Sequence, residues 1–338
     1  MANEIKILQI GMGPLGVRIA QFIAARNSLK TVAAVDTNPA LIGADFGPLT
    51  DTDNPNVQIG SSIEEAVRDH NPDIAILATV SGIESIAPQI EAIVQTKIPV
   101  ITTCEELSYP FQTEPELTDR IDRAAKKNNV AVLATGVNPG FLMDTLPTML
   151  TAICQQVDSI VVNRFQDAEL RRLPFQRKIG AGLTLEEFEK RVNKQSLRHV
   201  GLTESIHMIA QRLGWDLDRT EDIITPVIAE QHISTEMISI ARGDATGVRQ
   251  TGRGYRNGRV VIELNFQAAI GEPGSYDEVK ITGNPSFVSR IEGGINGDVA
   301  TCAIILNAIP QVLHSSPGLK TMVDIPPVSW FESWRSES

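Results

Sequence analysis

The sequence predicts an α/β protein: a doubly wound parallel sheet, followed by a second α+β domain built on a mostly antiparallel open sheet. Three observations carry this expectation. Short apolar runs alternate with helical segments through about residue 147. The first of these runs ends in a glycine turn that opens a helix. Strand-like runs then crowd between residues 223 and 292, separated by turns such as Arg256-Asn-Gly258.

The organising stretch is 5–20, IKILQIGMGPLGVRIA. Ile5, Ile7, Leu8 and Ile10 read as a buried strand, and Val17, Ile19, Ala20, Phe22, Ile23 and Ala24 as the apolar side of a helix. Between them Gly11, Gly13 and Gly16 fit G-x-G-x-x-G, with Pro14 and Leu15 inside the pattern. Gly11 allows the tight turn, Gly13 lets backbone approach a pyrophosphate, and Gly16 lets helix and strand pack closely. A second apolar run, 31–35, ends in Asp36, twenty positions after Gly16. An acidic residue there is placed to hydrogen-bond ribose hydroxyls, so the pair of signals predicts a Rossmann-type dinucleotide site. Thr37 and Asn38 join that site in the turn that follows. No Arg or Lys lies between Asp36 and Arg68, so a 2′-phosphate would meet the carboxylate without a sequence-local cation. This favours NAD(H), with NADP(H) as the alternative.

The chain continues with a loop rich in Gly, Pro and Asp over 41–55. Ser61 or Ser62 caps a helix with glutamates in its first turn. Strands follow at 73–79, 99–103 and 131–135, with helices at 86–95 and 115–128 between them. A strand at 157–164 opens the second region, followed by helices at 185–192, capped by Thr184, and at 203–213. Further strands are expected at 223–228, 237–241, 260–266, 278–281 and 287–291, and a helix at 298–313 ends near Pro310. The domains are set at 1–147 and 148–297, with the segment from about 298 to 338 docking back on the first.

Ligands bind at the carboxyl ends of strands in open parallel sheets. Thr79, Val80 and Ser81 follow one such strand and join the cofactor set. Glu105 and Glu106 follow another, where a desolvated carboxylate can carry a proton, although capping the next helix is an equally ordinary role for either one. Asn138-Pro-Gly140 is a turn whose Asn138 is placed to hold the nicotinamide end of the cofactor. Pro139, Phe141 and Met143 beside it, with Asn163, Arg164, Gln176 and His199 from the second region, form the candidate substrate pocket. Arg171, Arg172, Arg177 and Lys178 are weaker candidates, since most such charges face solvent. Trp215, Trp330 and Trp334 read as packing.

Composition limits the rest. The chain has 338 residues, 42% hydrophobic and 21% charged, as in an ordinary globular protein. A formal net charge of −11 disfavours nucleic acid and anionic membrane as partners. No run approaches the ~20 apolar residues of a membrane span, and the N-terminus enters the first strand with no signal-peptide pattern. Cys104, Cys154 and Cys302 are widely spaced and make neither a disulfide framework nor a metal knuckle, which fits a reducing cytoplasm. The five histidines contain no H-E-x-x-H pair, so no metal site is expected.

Beyond these readings, the chain resembles the 2,4-diaminopentanoate dehydrogenases and the related native amine dehydrogenases, which share a dihydrodipicolinate-reductase-like N-terminal domain. The likeness runs nearly end to end. It includes GMGPLG at 11–16, CEELSYP at 104–110, TGVNPGFLMDTLP at 135–147, KIGAGLTLEEFEK at 178–190, HVGLTESIHMIAQRLGW at 199–215 and GDVATCAIILNAIPQVLHSSPGLKTMVDIP at 297–326. The resemblance implies reversible NAD(P)-dependent oxidative deamination of an amine to a ketone and ammonia. It also implies an essential acid–base carboxylate at Glu105 or Glu106, and a homodimer. The His-His signature of true dihydrodipicolinate reductases has no counterpart here, so their reaction is not expected. Two rival readings are a ketone or imine reductase that does not use ammonia, and a non-catalytic NAD-sensing protein.

Overall fold

The computed structural model describes residues 4–54, 56–169 and 173–333. The chain divides into two compact units. One joins Met1–Phe141 to Gly297–Ser338, and the other is Leu142–Asn296. The first boundary falls six residues before the 147 expected from sequence. Met143 already belongs to the second unit's core, and the segment after it packs on a helix of that unit.

The first unit runs β1 (Ile5–Ile10), α1 (Pro14–Ala24), β2 (Leu29–Val35), α2 (Phe46–Thr50), β3 (Ile59–Gly60), α3 (Ile63–His70), β4 (Ile74–Leu77), α4 (Ile83–Gln95), β5 (Val100–Thr102), α5 (Pro115–Lys127) and β6 (Ala131–Ala134). The second unit contributes α6 (Thr145–Leu150), β7 (Gln156–Asp167), α7 (Leu173–Lys178), α8 (Leu185–Asn193), α9 (Leu202–Leu213) and strands β8 (Arg219–Ile228), β9 (Ile233–Ser234), β10 (Ser239–Ile240), β11 (Ala245–Arg256), β12 (Arg259–Ala269), β13 (Tyr276–Asn284) and β14 (Phe287–Glu292). The chain returns to the first unit with α10 (Gly297–Leu313) and β15 (Gly318–Lys320).

The first unit is a seven-stranded parallel sheet ordered β15-β6-β5-β4-β1-β2-β3. β4 and β6 are buried at every residue, as strands covered on both faces must be. One core lies under α4 and α5, where Ile86, Ile90, Ile93 and Ile121 are fully buried. The helices start where local chemistry permits: Ser62 Oγ accepts from the Glu65 amide at 3.2 Å, one of the orphan donors of a helix start. The return segment completes this sheet. α10 packs on α1, β5 and β6, and β15 pairs with β6 from Gly318↔Ala131 to Lys320↔Leu133. Because β15 is only three residues long, no periodicity announces it in the sequence.

The second unit is a six-stranded sheet ordered β14-β13-β7-β12-β11-β8. Only the β7–β12 pairing is parallel. Its core packs α9, through Leu202, Ile206, Ile209 and Ala210, against Val162, Val248, Ile262 and Leu264. Asp144 links α6 to α9: fully buried, it accepts from the Thr145 amide at 2.5 Å and from Ser205 Oγ at 2.8 Å. The sequence reading passes over β11 because its glycines interrupt the strand pattern. They are there for packing: a Cβ on Gly252 or Gly254 would lie 2.9 Å from an Ile206 side-chain atom, so glycine lets α9 approach the sheet. At Arg256-Asn-Gly258 the hairpin turns with φ of 51° at Asn257 and 72° at Gly258, the left-handed pair an Asn-Gly turn requires.

The sheet face opposite α9 carries a hydrogen-bonded ladder. Tyr255 donates to Glu221, Arg253 to Glu263, Asn265 to both Glu263 and Asn163, Asn163 to Glu278, and Arg290 to Glu278. These residues come from all six strands of the sheet.

Candidate cofactor and active site

The site begins where the parallel sheet reverses its winding, between β1 and β4. Gly11 has φ +93°, and a Cβ there would lie 2.4 Å from the Ala78 carbonyl oxygen, so the two strand-end turns touch. Gly16 is equally confined: a Cβ would lie 2.0 Å from the Gly11 carbonyl oxygen. Gly13 is the opposite case, exposed and with nothing within 4 Å of a Cβ position. It precedes α1 without a side-chain cap, and Pro14 takes the first helical position, where an amide is dispensable. An exposed, uncapped helix start with open space over a glycine fits a pyrophosphate. Leu15 is half-buried beside it. Gln9, a residue the sequence reading missed, is fully buried beneath this turn and donates from Nε2 to the Gly16 carbonyl. The available signal was one amide side chain within the buried run 7–10.

Asp36 closes the other side. Its Oδ2 accepts from the Met12 amide and its Oδ1 from the Asn38 amide, both at 2.7 Å. Thr37 and Asn38 are exposed. Asn38 Oδ1 accepts from the Ala40 amide at 3.0 Å, so this side chain shapes its own turn.

Beyond β4, Thr79, Val80 and Ser81 are exposed, and Thr79 Oγ1 donates to Gln89 Oε1 at 2.9 Å. α4 starts three residues earlier than the sequence suggests, at Ile83. Its start is served from another element, because the Ile83 amide donates to Glu106 Oε2 at 2.9 Å. Two further bonds join the same segments: the Glu106 amide and the Cys104 thiol both donate to the Ser81 carbonyl, at 3.2 and 3.0 Å. Glu105 and Glu106 open a single 3-10 turn, Glu105–Leu107, and both are half-buried. The Glu105 carboxylate makes no hydrogen bond to the described residues, whereas its carbonyl accepts from Ser108 Oγ at 2.7 Å. Burial pushes the Cys104 thiol up to about 12, and the neighbouring glutamates push in the same direction.

After β6, Asn138, Pro139 and Gly140 are buried, and the Asn138–Pro139 peptide is cis. Gly140 has φ +128°, and a Cβ would lie 2.6 Å from Gly136 backbone atoms and Thr135 Oγ1. The Val137 amide donates to Thr301 Oγ1 at 3.2 Å, which ties this turn to α10. Phe141 is half-buried.

The candidates in the second unit are engaged within that unit to different degrees. Met143 is fully buried in that unit's core. Gln176 is fully buried and donates to the Ala168 and Glu169 carbonyls, fastening the loop after β7. Arg164 is 4% exposed; its guanidinium donates to Asp277 Oδ1 at 2.7 Å and to the Ile295 carbonyl at 2.8 Å. Asn163 belongs to the sheet ladder. Asn163, Arg164 and Gln176 thus each have a hydrogen-bond partner inside the unit. His199 is half-buried; its backbone exchanges two hydrogen bonds with the Gln250 side chain, and its ring lies 4.5 Å from that of Phe266. Burial first, then the Arg164 and Lys178 charges, lower its imidazole to about 4. Arg171, Arg172 and Trp334 lie outside the described residues.

Residues 141–337 match the 2,4-diaminopentanoate dehydrogenase C-terminal domain, and residues 2–106 match a CoA binding domain. The chain is 32% identical over 333 residues to the 2,4-diaminopentanoate dehydrogenase of Acetoanaerobium sticklandii, covering 96% of this chain and 94% of that one. It is 24% identical over 341 residues to an amine dehydrogenase of Streptomyces virginiae, covering 94% of each. The solved structure of the amine dehydrogenase from Mycobacterium smegmatis shares its fold, with a TM-score of 0.84 at 21% identity, covering 98% of this chain and 99% of that one. With one relative above 30% identity nearly end to end and a family domain matching more than half its length, the chain belongs to the 2,4-diaminopentanoate dehydrogenase family of oxidoreductases.

Proposed function

We propose that the protein is an NAD-dependent amine dehydrogenase that interconverts an amine with a ketone and ammonia, using Glu105 as its acid–base group. The observation that carries this reading is the different engagement of two adjacent carboxylates at one strand end. Glu106 is bonded to the start of α4, while the Glu105 carboxylate makes no hydrogen bond to the described residues. The dinucleotide reading is supported by the open space over Gly13, the uncapped start of α1 and the placement of Asp36. A carboxylate at the position of Asp36, with no sequence-local cation, favours NAD(H) over NADP(H).

The chemistry needs what such a site offers. NAD(H), when bound, would supply the hydride chemistry at the amine carbon. In the amination direction, Glu105 takes a proton from ammonium, so that neutral ammonia can attack the ketone. It then returns a proton as the hydroxyl leaves as water. Its negative charge stabilises the cationic iminium as it forms. The turns after β1, β4, β5 and β6 share one edge of one sheet, which holds these groups in fixed relation. Removing the Glu105 carboxylate should cost ~10²-fold or more in rate.

Cytoplasmic residence and a homodimer complete the proposal. The three cysteines are free, as suits a reducing compartment. Among the described residues no helix is long and apolar enough to cross a membrane.

The deciding experiment is NADH oxidation with a panel of ketones, with and without ammonium. Ammonium-dependent turnover is expected. Turnover unchanged by omitting ammonium would make the protein a ketone reductase, and tight NADH binding without turnover on any amine or ketone would favour the sensing role.

A further inference from the structure

We propose that Glu106 is a positioning residue for the reaction. By clamping the 79–82 turn to the turn after β5, it fixes the backbone that presents Glu105. The inference rests on the reading of Glu105 as the acid–base group.

α4 begins after Gly82, which has no side chain to satisfy the helix's first amides. The Ile83 amide donates instead to a carboxylate 23 positions later in the chain. A charged acceptor at a helix start is favoured both by the charge-assisted bond and by the helix dipole. A simple cap would end there, but this one does not. The same short segment returns two donors, the Cys104 thiol and the Glu106 amide, to the Ser81 carbonyl immediately before the helix. At least three hydrogen bonds therefore cross between the two turns. On its far side, the turn after β4 abuts the dinucleotide turn, because Gly11 leaves no room for a Cβ against Ala78 and Thr79. Contacts thus run without a gap from Gly11 through Thr79 and Ser81 to Cys104, Glu106 and its neighbour Glu105. A misplacement of about 1 Å at a reacting group can cost ~10²-fold in rate. Loosening this clamp should therefore lower turnover while leaving cofactor affinity in place.

The experiment compares Glu106→Gln, Glu106→Ala and Glu105→Gln, measuring kcat, KM, the pH profile of kcat/KM and NADH affinity by fluorescence titration. Gln at 106 keeps an acceptor for the Ile83 amide, so kcat should stay within about 3-fold, with the pH profile unchanged. Ala at 106 should lower kcat by about 10- to 30-fold, with NADH affinity within about 3-fold and the titrating limb retained. Glu105→Gln should lose ~10²-fold or more together with that limb. If Glu106→Ala turns over like wild type per bound NADH, the positioning role is wrong and the Glu105 reading stands. If Glu106→Gln is as impaired as Glu105→Gln and loses the limb, Glu106 carries the proton itself and both readings fall. If Glu105→Gln alone is fully active, the acid–base reading fails and the positioning of Glu105 fails with it. Should Glu106→Ala not fold, Cys104→Ala replaces it. A fall in kcat of about 5-fold with NADH affinity kept supports the clamp, and an unchanged kcat overturns it.

Discussion

The Asp36 carboxylate accepts the Met12 amide at 2.7 Å, so the residue proposed to meet a ribose holds the glycine turn in shape. Its second oxygen takes the Asn38 amide. One side chain thus ties the glycine turn to the turn after β2. Asp36→Ala should raise KM for NADH by about 10- to 100-fold, the loss expected for hydrogen bonds to a charged acceptor. It should also raise the NADPH-to-NADH ratio of kcat/KM by removing the charge that would oppose a 2′-phosphate. Steady-state kinetics with both cofactors checks this, and an unchanged ratio would show that Asp36 does not set cofactor choice.

The buried Arg164–Asp277 pair gives a stability prediction. Burial pushes the Asp277 carboxyl up, against the pull of Arg164 beside it. Asp277→Ala should destabilise the protein by about 3–5 kcal/mol, because it strips a partner from a buried guanidinium. Replacing both residues, Arg164→Met with Asp277→Leu, should cost less than the single change. Urea unfolding of the three proteins tests the order, and a double variant less stable than Asp277→Ala would refute it.

Thiol chemistry should separate the cysteines. Burial pushes the Cys104 and Cys302 thiols up to about 12, whereas Cys154 is half-buried. Because the thiolate is the nucleophile, iodoacetamide near pH 8 should label Cys154 first and leave the other two until the chain unfolds. Peptide mass mapping against time measures this; early labelling of Cys104 would contradict its burial.

His199 predicts a pH dependence. Its folded value, about 4, lies below the ordinary 6.5. Between those values the unfolded chain binds the proton and the folded one does not, so stability rises with pH across that window. The contribution is complete above 6.5 and is lost as pH falls toward 4, with a slope of at most about 1.4 kcal/mol per pH unit. His199→Gln should flatten the stability profile there. Denaturant midpoints at several pH values decide it, and an identical slope would show that His199 does not carry the effect.

Much of the first unit was legible because its signals are local. A buried strand, three glycines at fixed spacing and an acidic residue at the end of the next strand are constraints on neighbouring backbone, and Gly11, Gly16 and Asp36 meet them within a few residues of chain. The Thr184 cap was legible for the same reason: its side chain accepts the Glu187 amide within one helical turn. The second sheet was only partly legible. β11 contains Gly252 and Gly254, which weaken a strand pattern, and their purpose appears only when Ile206 of α9 lies over them.

By itself the sequence determined the class of fold, the family and the turn on which a dinucleotide would rest. It could not divide the roles of Glu105 and Glu106, which share composition and position. The proposed division rests on an amide at the start of α4, brought to Glu106 by the pairing of β4 with β5. Nor could it show that Arg164 is engaged within its own unit, since Asp277 lies 113 residues away and meets it only through the pairing of β7 with β13. Motifs record what the backbone needs from its neighbours in sequence. Hydrogen-bond partners and burial come from strands that meet only when the chain has folded, and here they decided which charged side chains are bound within the protein and which of two glutamates is bonded to the start of α4.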